Sequence, residues 1–271
     1  MNTNDMRKIT IHDYFGYEIP MQERYRLISE TGFDGVMLGW CVGPDNTKMT
    51  KHHNPDLARK NNLYIENLHA PFENSNSLWL EGIDGDEYLK TQLSCMEDCA
   101  RHDIPAMVIH VSGGNNPPPI GIIGLERIKK LICKAEDNNI NIAFENLRRP
   151  GHLRYIFENV ESERIKFCFD IGHWHCHTPN EDLLSEFGGK MISLHLHDND
   201  GTDDQHLLPF EGTIDWGKVM HKIKSTGYQG AVGLEVGNGG YEAMSPRDFL
   251  QLEYERAVKL RELLDLGSNI A

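Results

Sequence analysis

The chain of 271 residues is 39% hydrophobic and 25% charged, enough apolar material for a large core, and single α/β barrels run to about 250 residues. Its 41 acidic residues against 27 basic ones leave a formal charge of −14, which repels nucleic-acid phosphates, and no basic cluster offsets it. No apolar run approaches the ~18–20 residues of a membrane span, residues 1–10 lack the apolar stretch of a signal peptide, and the six cysteines form no CxxC pair, so a cytoplasmic protein with reduced thiols is expected.

From residue 8 onward, short β-branched or aromatic runs alternate with polar loops and helical stretches. Strands are predicted at 8–12, 35–39, 63–68, 106–111, 141–145, 165–170, 191–197 and 231–236. Helices are predicted between and after them at 21–30, 55–61, 86–102, 125–138, 152–159, 181–187, 215–225 and 246–266. Pro20 and Pro246 stand where a helix start needs no N–H, and Gly32 and Gly227 where a helix ends and a strand follows. Eight βα units predict an α/β fold, a single (β/α)8 TIM barrel over residues 1–271. The first βα turn, His12-Asp13-Tyr14-Phe15-Gly16, has no GxGxxG of a dinucleotide fold. The segment 73–86 is long enough for a lid or an interface element.

In such a barrel the C-terminal ends of the strands converge on one mouth. Read in order, those ends carry His12, Gly39-Trp40, His69, His110, Glu145, Asp170, His195 with His197, and Glu235, so seven of eight present a group able to bind a divalent metal. Any one alone reads as a satisfied core residue. Seven at one register point to a metal site, because buried carboxylates need cations. Leu196 between His195 and His197 puts both imidazoles on one face of the strand. His173, Asp204 and His206 in the following loops can reach the same mouth. Trp40, Phe72 and Trp174, just past strand ends, are candidates for an apolar wall against a sugar, and Gly237-Asn238-Gly239-Gly240 for a phosphate-binding turn.

Taken together, Leu68-His69-Ala70-Pro71-Phe72, Phe144-Glu145-Asn146, Phe169-Asp170-Ile171-Gly172-His173, His195-Leu196-His197-Asp198-Asn199-Asp200 and Glu211-Gly212-Thr213-Ile214-Asp215-Trp216 resemble, in order and spacing, the sugar phosphate isomerase/epimerase family of the xylose isomerase-like TIM barrel superfamily. The resemblance runs over about residues 8–266. It implies one divalent ion, held as in ketose 3-epimerases by Glu145, Asp170, His195 and Glu235, with His197 as the alternative to His195. It also implies that Glu145 and Glu235 are the catalytic proton-transfer pair on opposite faces of the substrate, and that His173 contacts the sugar. The family's substrate-binding arginine corresponds to His206 here. The same superfamily contains endonuclease IV, a three-zinc enzyme whose ligands match His69, His110, Glu145, Asp170, His173, His195, Asp204, His206 and Glu235. A multi-zinc phosphoesterase is therefore the alternative reading, and an inosose dehydratase-like lyase a further one.

Two glutamates, an aspartate and a histidine make a mostly oxygen-ligated site, suited to Mn²⁺ or Mg²⁺ and tolerant of Co²⁺ or Zn²⁺. An ion there can stabilise the cis-enediolate left when a proton leaves the carbon beside a carbonyl. A glutamate on each side can take that proton and return it, giving epimerisation or isomerisation. His69, His110, His173, His197, Asp204 and His206 are left for substrate binding or additional metal. The expected partner is a small-molecule carbohydrate. Neither nucleic acid nor membrane is expected, and a homo-oligomer is left open.

Overall fold

Runs such as Ile9-Thr10-Ile11 and Ile142-Ala143-Phe144 are buried on both faces, which is tolerable only where helices cover one side of a sheet and side chains fill the other. In the computed structural model, which describes residues 6–41 and 50–266, eight such runs form one parallel sheet. They are β1 (Ile9–His12), β2 (Gly35–Gly39), β3 (Tyr64–His69), β4 (Ala106–Ile109), β5 (Asn141–Glu145), β6 (Ile165–Asp170), β7 (Met191–His195) and β8 (Val232–Leu234). Strands β1 to β7 pair in chain order and β8 pairs with β1. A parallel bridge between Leu196 and Leu234 joins the two ends: Leu196 N–H donates to Gly233 O at 2.9 Å and Glu235 N–H to Leu196 O at 3.2 Å. The expected (β/α)8 TIM barrel is therefore present.

The expected helices form as α1 (Met21–Thr31), α2 (Asn54–Lys60), α3 (Ile83–Arg101), α4 (Ile122–Asn138), α5 (Gly151–Asn159), α7 (Leu183–Phe187), α8 (Trp216–Ser225) and α9 (Pro246–Leu266). Gly32 ends α1 in the left-handed region, at φ 113°. One further helix, α6 (Ile171–His177), has no sequence period to announce it. It starts because the Asp170 carboxylate at the end of β6 caps it, accepting from His173 N–H at 2.6 Å. Among the described residues no helix is long and apolar enough to cross a membrane.

Alternation along the strands divides the core in two. Phe144, Phe167 and Phe169 belong to the main apolar core; Phe144 packs on Phe157, and Phe167 on Phe187. Val108, Ala143 and Cys168 form a separate small cluster. Beside it lies a polar group in which Asn67 Nδ2 donates to Ser193 Oγ at 3.0 Å, and Ser193 and Thr10 donate to Glu66. Bulges in β2–β3 and β6–β7 absorb the odd residues below the mouth, so that Gly39 still faces His69 and Asp170 faces His195. The middle of segment 73–86 forms a plug anchored on α3 and α4. Its 3₁₀ turn (Ser75–Trp79) buries Leu78 and Trp79, and the buried guanidinium of Arg127 donates to the carbonyls of Ser77, Leu78 and Leu80. A Cβ at Gly124 would fall 2.1 Å from the Trp79 ring, so the plug needs glycine beneath it.

Candidate metal centre

Five strands end on a ligand-type side chain: His12, His69, Glu145, Asp170 and His195, while His110 and Glu235 lie one residue past β4 and β8. Glu145 is the hub. Its Oε2 lies 3.2 Å from His69 Nε2, 3.1 Å from His110 Nε2 and 3.4 Å from His195 Nδ1, and its Oε1 lies 3.2 Å from His173 Nδ1. His195 Nδ1 reaches across to Glu235 Oε2 at 2.8 Å and to Asp170 Oδ2 at 3.9 Å. A second group adjoins the first. His197 Nε2 lies 3.2 Å from both oxygens of Asp170 and 3.7 Å from Asp204 Oδ1. Asp204 Oδ2 lies 3.1 Å from His173 Nε2 and 3.4 Å from His206 Nε2, and the His197 and His206 rings stack 3.9 Å apart. His195 thus sits with Glu145 and Glu235, and His197 with Asp170 and Asp204.

The tautomers say what belongs between these groups. His69, His173 and His206 each have Nδ1 against a main-chain carbonyl, of Ala70, Asn146 and Glu235, at 3.1, 3.0 and 2.8 Å. A carbonyl only accepts, so Nδ1 carries the hydrogen and Nε2 turns a bare lone pair toward a carboxylate. Lone pair facing lone pair demands a cation, either a proton or a metal. Metal bonds of about 2.1 Å put neighbouring ligand atoms about 3.0–3.4 Å apart, the range seen around Glu145 Oε2. The residues therefore fit a divalent ion, and the carbonyls supply the outer contacts that fix ligating imidazoles.

In the ion-free site protons do this work. Burial pulls imidazoles toward neutrality, yet at His173 the carboxylates of Asp170, Asp204 and Glu145 outweigh it and hold the proton well above the ordinary range. His195 is raised against the same burial by Cys168, Glu235 and Glu145. At His206, too, burial opposes, and the Asp204 contact wins, raising it to about 9. Conversely, burial pushes Glu145 and Glu235 up, but the imidazoles of His110 and His195 for the first, and of His195, His12 and His206 for the second, hold both well below the carboxylate range. Burial leaves His12 and His110 lowered.

Two expected wall residues face elsewhere. Trp40 is fully buried outside the mouth, where its Nε1 donates to Asp98 at 2.9 Å. Trp174 packs on Phe169 and donates Nε1 to Glu181 O at 3.0 Å. Trp40 follows the strand end Gly39, so alternation turns it into the helical layer, whereas Trp174 stands on α6 with its ring against Phe169. Phe72 does border the site: it is 44% exposed and its ring stacks 4.7 Å from His110. The turn at 237–240 has two N–H groups already committed, Gly237 to His206 O and Gly240 to Glu242 Oε1, and the latter carboxylate is the wrong charge for a phosphate. Residues not singled out from sequence also serve the centre. Asn146, fully buried, donates Nδ2 to Asp170 O at 2.7 Å and accepts from Asp170 N–H at 2.8 Å, which locks the Asp170 backbone. Cys168 lies under Glu145 and His195 with ligand atoms within 4.8 Å, its thiol pushed by burial to about 12. The signal for Asn146 is its place directly after the inward Glu145.

The model of the xylose isomerase-like TIM barrel family matches residues 25–259. The chain belongs to that family. Among relatives, fructoselysine 3-epimerase of Escherichia coli O157:H7 is 24% identical over 247 residues, 80% of this chain and 86% of that protein. The uncharacterized protein y4fM of Sinorhizobium fredii is 30% identical over 135 residues; that match spans 47% of this chain and only 43% of the relative. Among solved structures, the IOLI protein with a bound zinc atom superposes with a TM-score of 0.76 at 17% identity, covering 95% of this chain and 98% of that one.

Proposed function

We propose that the protein is a divalent-metal-dependent isomerase or epimerase of a small sugar or sugar phosphate. The observation that carries this reading is the pair Glu145 and Glu235, which stand at the ends of β5 and β8 and meet from two sides of the mouth through His195. Glu235 is the accessible member, with 19% of its side chain exposed against 1% for Glu145. Both are held ionised at neutral pH, as proton acceptors must be. In this reading Glu235 takes the proton from the carbon beside the substrate carbonyl and, for isomerisation, returns the same proton to the neighbouring carbon. For epimerisation Glu145 first takes up a proton from solvent as substrate binds and delivers it to the opposite face, and the proton left on Glu235 passes to solvent. Glu145, Asp170, His195 and Glu235 would hold the ion, which would supply positive charge beside the oxygens of the reacting carbonyl. The His195 imidazole among these ligands favours Mn²⁺, Co²⁺ or Zn²⁺ over Mg²⁺. The fructoselysine 3-epimerase relative supports the reaction class and the zinc-bearing IOLI structure supports the metal.

The test is metal content of the purified protein by elemental mass spectrometry, followed by a panel of ketoses and ketose phosphates in deuterated water. Deuterium entering a carbon-bound position in one of them, lost on chelation, is the expected result. No exchange with any member of the panel would overturn the reading. One observation favours a second reading: His197, Asp204 and His206 form a further ligand group. Two or three zinc ions per chain would turn the reading toward a multi-zinc phosphoesterase.

A further inference from the structure

Below the mouth the centre contains a sulfur atom that the four ligands of the isomerase reading leave unused. Cys168 stands on β6 two residues before Asp170, so alternation turns both into the barrel, with Cys168 one layer deeper. In the parallel register Glu145 pairs with Cys168, whereas Asp170 pairs with His195. The carboxylate at the hub is therefore level with the thiol. Cys168, Glu145 and His195 offer one ligand atom each, a sulfur, an oxygen and a nitrogen, and the three atoms lie within 4.8 Å of one another. Among the described residues no other cysteine joins a group of three such donors.

The surroundings give these donors little else to bind. Cys168 is fully buried, and the rest of its small cluster, Val108 and Ala143, is apolar. His195 is fully buried as well. Although its Nδ1 stands 2.8 Å from Glu235 Oε2, neither ring nitrogen has a hydrogen-bond partner of acceptable angle. A buried imidazole in that state costs free energy unless something else takes its lone pair. With metal–sulfur bonds of about 2.3 Å and metal–nitrogen bonds of about 2.1 Å, tetrahedral donors stand about 3.6 Å apart. Contraction from 4.8 Å to that spacing is at most about 1.2 Å, shared between side chains. We infer that Cys168 is a metal-selecting ligand: with Glu145 and His195 it forms a three-donor position for a thiophilic divalent ion, zinc, cobalt or cadmium, beneath the oxygen donors of Asp170 and Glu235. A thiolate is the soft donor that carboxylates cannot imitate, so the position favours those ions over magnesium and manganese. Occupancy forms one metal–sulfur bond and breaks the S–H bond, whose proton passes to solvent. Three protein donors leave a fourth place open, as in catalytic zinc sites. The inference rests on the metal centre of the isomerase reading and adds the element that chooses the ion.

Cobalt reports sulfur ligation directly, because a cobalt–thiolate bond adds a charge-transfer band in the near ultraviolet that oxygen and nitrogen ligands do not. The full-length protein, stripped with chelator and titrated with Co²⁺, is expected to show that band. Cys168→Ser should keep the visible ligand-field bands and lose the near-ultraviolet one, whereas Cys133→Ser, which removes the exposed thiol, should keep both. Cys168→Ser should also bind Cd²⁺ about tenfold or more weakly than the parent while its Mn²⁺ affinity stays within about twofold, a split that loss of packing alone would not produce. Cobalt bound without the band, a band that survives Cys168→Ser, or Cd²⁺ and Mn²⁺ weakened alike would overturn the sulfur ligand while the isomerase reading stood. If Cys168→Ser fails to fold, cadmium nuclear magnetic resonance of the cadmium-loaded Cys133→Ser protein decides. A resonance in the sulfur-ligated range supports the inference, and one in the range of oxygen and nitrogen ligands overturns it. A protein that binds none of these ions overturns the metal centre and the sulfur ligand together. Sulfur-ligated cobalt with no deuterium exchange into any ketose overturns the isomerase reading alone.

Discussion

Replacing Asn146 by alanine isolates the groundwork beneath the metal centre. The side chain is fully buried and closes two hydrogen bonds on one residue, 2.7 Å to Asp170 O and 2.8 Å from Asp170 N–H. Alanine leaves the Asp170 N–H buried without a partner, while the Asp170 carbonyl keeps the first turn of α6 and the carbonyl of residue 146 that holds His173 remains. The stranded group costs about 1–3 kcal/mol. At about 2–4 °C per kcal/mol for a domain of this size, the melting temperature should fall by about 2–12 °C. Asp170 caps α6 and faces His197, so loosening its backbone should also weaken metal retention. Thermal unfolding followed by circular dichroism, with and without divalent ion, gives both quantities. A melting temperature within about 1 °C of the parent, with unaltered metal affinity, would refute the reasoning.

Four further outcomes follow from the same contacts. Glu235→Gln should lower turnover by about 10²–10⁴-fold with the fold intact, read by deuterium exchange and circular dichroism. Metal binding should release a proton near pH 7, because His195 is protonated there without the ion and must be neutral to ligate. Affinity should accordingly rise with pH up to that raised value; calorimetry in buffers of different ionisation enthalpy that shows no proton release would contradict the assignment. Gly172→Ala places a Cβ 1.9 Å from His197 Cε1 and should cost about 1–3 kcal/mol while easing metal loss on dialysis. Glu253 is fully buried, has no hydrogen-bond partner among the described residues, and is pushed by burial alone well above its usual 4.5. The folded chain thus keeps a proton that the unfolded chain gives up above about pH 4.5, so stability declines as pH rises from there. Glu253→Leu should remove that slope and raise the melting temperature at neutral pH; a lower one would show that Glu253 has a function in the fold.

The barrel and its inward ligands were legible because two simple regularities coincide: strands alternate their side chains, and parallel strands in a barrel all end on one face. That brings His69, Glu145, Asp170 and His195 together without any knowledge of contacts. The same alternation explains the error at Trp40, where nearness to a strand end in sequence was taken for nearness to the mouth; Trp174 turns away because it stands on α6. Helix α6 was not legible because Ile171-Gly172-His173-Trp174 has no apolar period; its start depends on a cap supplied by a strand residue. The division of His195 and His197 between two carboxylate groups was not legible either. Both point inward, and only the placement of Glu235 and Asp204 separates them.

The seam between β7 and β8 gives the two halves of the centre different lifetimes. β8 has only three residues, and the closure there consists of a single bridge at Leu196. The loop that leaves this seam carries His197, Asp204 and His206, whereas His69, His110 and Glu145 stand on staves paired on both sides. Local opening starts where the fewest hydrogen bonds must break. Amide hydrogens of Leu196 and Glu235 should therefore exchange earliest among the strand-end residues, and ligands on the seam side should let go while the Glu145 hub still holds. The barrel thus has its thinnest edge on the side that carries Glu235.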